Sequence, residues 1–297
     1  MFEYMEYNIA PWGASIAAYF FLIGTAGMVF TTAAAPNVFG AVAAPFAKFQ
    51  KTGAIIALVL LAICVPLLIL DLGQPSRFLY PILYFRWTSP LSWGAVFLPL
   101  FGLCIAGFIY GLLKQNRKLL RWTGIIGVLL ALSMPLYTGL DLMVNQAREI
   151  WANPTIPILF VILSITSGAA VVALAMAFTG GPSADAARLL RYVLAFSLGI
   201  TFWLILGLIM TMVYGSAELQ QAWDVINSDY AIEFWGLSFV LGVLIPLVLV
   251  FGPMLVPAMQ FAASPRMVTL AAVMGAVGAY SLRKVLLYAG QIPQIYY

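Results

Sequence analysis

Four polar residues in the middle of the chain fall on one helical face. Tyr137, Asp141, Asn145 and Arg148 follow one another at spacings of four, four and three, which stacks side chains along an α-helix. A phenol, a carboxylate, an amide and a guanidinium in a row can orient an oxygen-bearing ligand and pass its protons. Other groups of this kind are Tyr19, Asp71 with Arg77 and Arg86 after it, and the pair Arg283-Lys284. The chain has no histidine, so it lacks the commonest metal ligand, the usual axial ligand of membrane haem and the usual acid/base near neutral pH. Its two cysteines, Cys64 and Cys104, lie inside apolar runs with no cluster spacing. They read as small buried hydrophobes, and the chain cannot hold an iron–sulfur centre alone. No metal and no haem are expected.

The elements that must position these groups are membrane helices. Of 297 residues, 64% are hydrophobic and 8% are charged, against about 25% charged in an ordinary soluble domain. The mean hydropathy is +1.03. Soluble enzyme, disordered chain and disulfide scaffold are excluded. The excess of four positive charges belongs to membrane topology rather than to nucleic acid. A spanning helix needs roughly 20 apolar residues. Eight runs qualify: Ala14–Ala34, Thr52–Asp71, Leu91–Leu113, Trp122–Val144, Thr155–Thr179, Arg188–Tyr214, Phe234–Val256 and Met267–Ala289. The segment before the first run carries Glu3 and Glu6 and no basic residue, so that run is expected to be a retained helix rather than a signal peptide. The reading is an all-α integral membrane protein, one polytopic domain over 1–297, with four helices in about 10–145 and four in about 155–290.

Lys and Arg counted by loop set the orientation. Lys48, Lys51, Lys114, Arg117, Lys118, Arg121, Arg188, Arg191 and Arg266 fall in alternate loops, nine on one side, against Arg77, Arg86 and Arg148 on the other. The nine are expected inside, so both termini are expected outside. By a rise of about 1.5 Å per residue, Tyr137 lies roughly 10–12 Å below the outer edge and Asp141 roughly 5 Å. Tyr19 lies at a depth similar to Tyr137, and Arg283 and Lys284 lie roughly 8–9 Å below the outer end of the eighth run. The polar groups therefore collect in the outer third. The second run ends at Asp71, where pairing with Arg77 at the helix end is the plain alternative to a chemical role. The outward loop after the sixth run carries Glu218, Asp224, Asp229 and Glu233 with no basic residue, either a solvated loop or a docking surface. Two weak echoes, Thr25-Ala26-Gly27 with Thr166-Ser167-Gly168 and Leu136-Tyr137-Thr138-Gly139 with Leu287-Tyr288-Ala289-Gly290, relate each helix to the one four further on. Two parallel four-helix bundles would produce them, and so would chance, since small residues are common at membrane helix contacts.

Tyrosine hydroxyls, a carboxylate and cations within apolar walls suit a lipid-soluble ligand with polar oxygens, and a quinone is one. A transported ion is the competing ligand, although transporter sites are expected near the midplane. A proton- or ion-translocating subunit without quinone chemistry, or a purely structural anchor, are the other classes left open.

Several motifs resemble a known family. Asp71-Leu72-Gly73-Gln74-Pro75-Ser76-Arg77-Phe78, then Phe85, Thr88-Ser89-Pro90 and Trp93-Gly94-Ala95, look like the second and third helices of the NrfD-like family. These are the membrane subunits of polysulfide reductase and formate-dependent nitrite reductase. Tyr137-x-Gly139-Leu140-x-Leu142-x-Val144-Asn145 is similar to the polysulfide reductase segment, and Ser167-Gly168-Ala169-Ala170 and Tyr288-Ala289-Gly290-Gln291 to the nitrite reductase relative. The resemblance implies a haem-free subunit of eight helices in the bacterial inner membrane, with a menaquinone site near the periplasmic face. It implies a peripheral iron–sulfur subunit and a catalytic subunit, commonly molybdopterin-containing, on that side. Tyr137 matches a quinone-contacting Tyr. Tyr19 and Ile16 stand where the polysulfide reductase relative has His and Asn. The expected site has Tyr137, Asp141 and Asp71 in proton and electron transfer. Tyr19, Tyr137, Arg77, Asn145 and Arg283 are expected around the quinone.

Overall fold

The computed structural model describes residues 12–71, 74–179 and 181–291. Leu72 and Gly73 of the second-helix motif, and Glu3 and Glu6, lie outside the described residues. Among those described, the chain is helical with no strand, and eight helices are long and apolar enough to cross a membrane. The elements are α1 Ala14–Val38, α2 Gln50–Asp71, the short α3 Tyr80–Leu83, α4 Pro90–Leu113 and α5 Arg117–Met143. They continue with α6 Thr155–Phe178, α7 Ala184–Tyr214, the surface helix α8 Ala217–Ser228, α9 Ile245–Leu255 and α10 Pro265–Ala289. A π-helical stretch, Ile232–Leu244, leads straight into α9 and completes the seventh span.

Polar caps set the starts of α5 and α7. The Asn116 side chain accepts from the Leu119 amide at 3.2 Å. That starts α5 five residues before the apolar run and winds Arg117, Lys118 and Arg121 into its first turns. Ser183 does the same for α7, accepting from the Ala186 amide at 3.2 Å. Such a side-chain oxygen satisfies an amide that has no partner inside the helix. The two long outward loops are partly helical: α3 and a turn at Pro75–Arg77 fill one, and α8 the other.

Helix packing follows the n and n+4 echo. α1 packs against α2 and α5, and α4 against α5; in the second half α6 packs against α7 and α10, and the seventh span against α10. The halves meet along α1, α5 and α6. The echo motifs themselves touch, since Thr25 donates to the Ser167 hydroxyl at 2.7 Å across α1 and α6. Small residues make the approach possible. A side chain at Gly168 would run into Met28, and one at Gly27 into the Ala131 carbonyl. Pro135 has no N–H, so it leaves that carbonyl without its helical donor.

Both described ends of the chain lie at one end of the bundle. The Gln291 side-chain amide donates to the Trp12 carbonyl at 2.8 Å. Trp12 stacks on Trp151 with ring centroids 5.3 Å apart, and the Trp151 indole donates to the Leu286 carbonyl at 2.9 Å. These contacts tie the start of α1, the α5–α6 connection and the end of α10 together. The candidate site lies beneath them.

Candidate functional site

Four of the expected residues converge. Tyr19 from α1, Asp71 from the last turn of α2, and Tyr137 and Asp141 from α5 line one small cavity of about 110 Å³. Trp12, Ile16, Phe20, Leu68 and Leu91 complete its wall. Tyr137 and Asp141 share the cavity because they are one helical turn apart on α5. Tyr19 reaches it from the facing helix. Tyr19 is 1% exposed, and its hydroxyl has no hydrogen-bond partner among the described residues. A buried hydroxyl left unpaired costs about 1–3 kcal/mol, a cost that an oxygen-bearing ligand would remove. Tyr137 is also buried, and its ring lies against α4 because position 94 is glycine. Any side chain there would strike the ring.

An apolar cavity adjoins the polar one. A groove of about 430 Å³ runs between α2 and α4, from Leu58 and Gly102 up to Ile69, Leu91 and Tyr137. Phe78, Leu79, Pro81 and Ile82, in and beside α3, cover it. Leu68, Leu91 and Tyr137 belong to both cavities. The eleven steps from Leu58 to Ile69 make it roughly 16 Å long by the α-helical rise. A third cavity of about 260 Å³ lies on the other side of α4, with Trp87, Trp93, Phe97, Ser133 and Tyr137 in its wall. Tyr137 therefore borders all three spaces.

The other three expected residues lie elsewhere. Asn145 donates to the Asp141 carbonyl at 2.7 Å and the Leu142 carbonyl at 3.2 Å, closing the end of α5. Arg77 sits in the turn before α3 with its guanidinium 5.5 Å from the Tyr80 ring centroid. It forms no ion pair with Asp71, whose carboxylate takes a hydrogen bond from Ser15 at 2.5 Å instead. Arg283 is fully buried between α1, α6 and α10. Its guanidinium donates to the carbonyls of Ala279 and Phe160 at 3.1 and 2.8 Å and to the Ser164 hydroxyl at 2.7 Å. The Phe160 ring lies 5.3 Å away on one side, and Phe160 in turn packs on Phe20 of the cavity wall. Lys284 pairs with Glu233 at 3.5 Å. Arg283 therefore stands one aromatic layer behind the cavity and does not line it.

Sequence reasoning passes over Trp12, Ser15, Phe20, Leu68 and Leu91. Ser15 alone carries a signal, since it precedes Tyr19 by four residues and so shares its face of α1. Among the described residues no group of three His, Cys, Asp or Glu side chains is placed to hold a metal ion.

The profile of the family described as polysulphide reductase, NrfD, matches residues 3–294. The chain belongs to the NrfD family. Its relatives are subunits of reductase complexes. A selenate reductase subunit of Mesobacillus selenatarsenatis is 22% identical over 287 residues, covering 82% of this chain and 67% of the relative. A polysulfide reductase subunit of Wolinella succinogenes is 25% identical over 181 residues, 55% of this chain and 57% of the relative. An Hdr-like menaquinol oxidoreductase integral membrane subunit of Archaeoglobus fulgidus is 23% identical over 172 residues, 58% of this chain and 43% of the relative. This NrfD-family chain thus spans about two thirds of the first relative's length and about half of the other two.

Proposed function

We propose that this subunit exchanges electrons between a membrane quinone, menaquinone in the first instance, and an iron–sulfur subunit docked over the cavity. The observation that carries the reading is the join of two unlike spaces at Tyr137. A polar cavity with two tyrosines and two carboxylates shares the walls Leu68, Leu91 and Tyr137 with an apolar groove between α2 and α4. A quinone has the same two parts, a ring with two oxygens and a long isoprenoid tail. The unpartnered Tyr19 hydroxyl fits a ring oxygen. The groove, walled by Leu58, Leu61, Val65 and Leu68, fits a tail.

A bound quinol supplies two electrons and two protons. The Tyr19 and Tyr137 hydroxyls hold the ring oxygens, and Asp71 and Asp141 accept the two protons and pass them to the water beyond Trp12. The electrons leave to the partner's cluster, because this chain has no histidine and no metal-holding group among its described residues. With the basic loops inside, this end of the bundle is the periplasmic face of the bacterial inner membrane. The iron–sulfur subunit, and a catalytic subunit carrying molybdopterin, sit on that side. The flow reverses in a quinone-reducing complex. The names of the selenate and polysulfide reductase subunits support the assembly, and that of the menaquinol oxidoreductase subunit supports the substrate.

The test is Tyr137→Phe in the assembled complex. Removing a hydroxyl that holds a ring oxygen is expected to lower quinol-linked turnover by about 100-fold, with the complex present at wild-type level. Wild-type quinol kinetics in that variant would take Tyr137 out of the reaction. Solute flux through liposomes holding this subunit alone would favour a transporter, and full quinol activity of a complex lacking it would favour a plain anchor.

A further inference from the structure

We propose that Ser15 is a positioning residue that aims the Asp71 carboxylate into the cavity; the inference rests on the quinol reading above. Asp71 is the last residue of α2, and no basic side chain lies in that helix's last turn. The C-terminal end of a helix carries partial negative charge, so a carboxylate there is electrostatically misplaced. Left to itself it would swing away toward water. The carboxylate is held by the neighbouring antiparallel helix. Ser15 lies in the first turn of α1, where the helix end is partially positive. Its hydroxyl donates to Asp71 Oδ1 at 2.5 Å, within the range of a charge-assisted O–H···O⁻ bond. No acidic residue of α1 occupies that first turn, and Gly13 before it offers no side-chain cap.

The bond leaves a specific resource. With Oδ1 taken, Oδ2 has no partner among the described residues, and Asp71 lines the same cavity as Tyr19. Ser15 and Tyr19 are one helical turn apart, so a single face of α1 presents both the ring that meets the ligand and the hydroxyl that orients its proton acceptor. Asp71 can accept a proton on Oδ2 without losing its anchor on Oδ1. Arg77, the other group near in sequence, is engaged with the Tyr80 ring instead.

The experiment uses the whole complex in native membranes with a menaquinol analogue as donor. Ser15→Ala is expected to lower kcat about tenfold, the effect of losing one hydrogen bond to a charged group, with KM within twofold of wild type. Ser15→Thr, which keeps the hydroxyl, should restore kcat. Adding Ser15→Ala to Asp71→Asn should lower turnover no further, because the two act as one unit. Wild-type kcat in Ser15→Ala beside a Tyr137→Phe that has lost activity would overturn the role of Ser15 and leave the quinol reading standing. Wild-type kcat in both variants would overturn the reading together with the inference. A loss that Ser15→Thr fails to restore, or that adds fully to that of Asp71→Asn, would show Ser15 to be only a packing residue and overturn the proposal.

Discussion

The two halves of the bundle share a packing plan and differ in what they leave open. In α1–α5, the span between α2 and α4 holds a groove of about 430 Å³, and the Tyr19 hydroxyl near its head has no partner among the described residues. In the half built from α6–α10, a space among Thr166, Thr201, Ser238 and Gly278 has no room for a water molecule. Gly242 and Gly278 bring the seventh span and α10 into backbone contact, where any side chain would collide. Most polar groups of that half bond to one another. Thr166 donates to Ser197 at 3.0 Å, and Ser238 and Ser281 both donate to the Glu233 carbonyl at 2.7 and 2.9 Å. Even the buried Arg283 is largely satisfied by two carbonyls and a hydroxyl. Most intramembrane polar residues find partners in one half and face a cavity in the other. Their number alone does not separate the two cases.

Variants can break that contrast. Asp141→Asn keeps shape and removes a proton acceptor from the open half, so quinol-linked turnover should fall by about 100-fold while the amount of complex is unchanged. Turnover within a factor of two of wild type would remove Asp141 from the proton route. Glycines should show the contrast next. Gly278→Ala should destabilise the subunit by about 1–3 kcal/mol, the usual cost of overpacking, seen as a lower melting temperature in detergent. Gly94→Ala presses first on the Tyr137 ring, which borders three cavities. It should change quinol KM more than the melting temperature. The reverse pattern would mean that the open half is held as tightly as the closed one. Smallest is Thr201→Val. The Thr201 hydroxyl is buried without a partner among the described residues, so an apolar isostere should be neutral or stabilising by up to about 1 kcal/mol. A clear loss of stability would show a bonded hydroxyl there.

Much of this was readable from residue order, for physical reasons. All eight spans are visible because a membrane helix must be apolar along its whole length. The starts of α5 and α7 are not, because Asn116 and Ser183 set them through single hydrogen bonds that hydropathy does not register. Tyr137 and Asp141 are legible as a pair because both lie on one helix. That Tyr19 and Asp71 join them depends on how α1, α2 and α5 pack, and depth along a helix gives only a level, not a direction around it. Arg283 shows this limit. Its depth resembles that of the site, yet α10 turns it toward α6. Asn145 shares the Tyr137 face but lies at the end of α5, where free carbonyls capture its amide. The groove is the least legible feature, since it depends on the gap between α2 and α4, which no residue spacing within either helix sets.

In the proposed complex a quinone ring sits against Tyr19 and Tyr137 with its tail between α2 and α4. Photolabelling the intact complex with an azido-quinone, followed by peptide mapping, tests it directly. The expected result is label on α2 between Leu58 and Ile69 and on the α5 peptide containing Tyr137, suppressed by excess unlabelled quinone. Label confined to α6–α10, or label on α2 that excess quinone does not compete away, would contradict it.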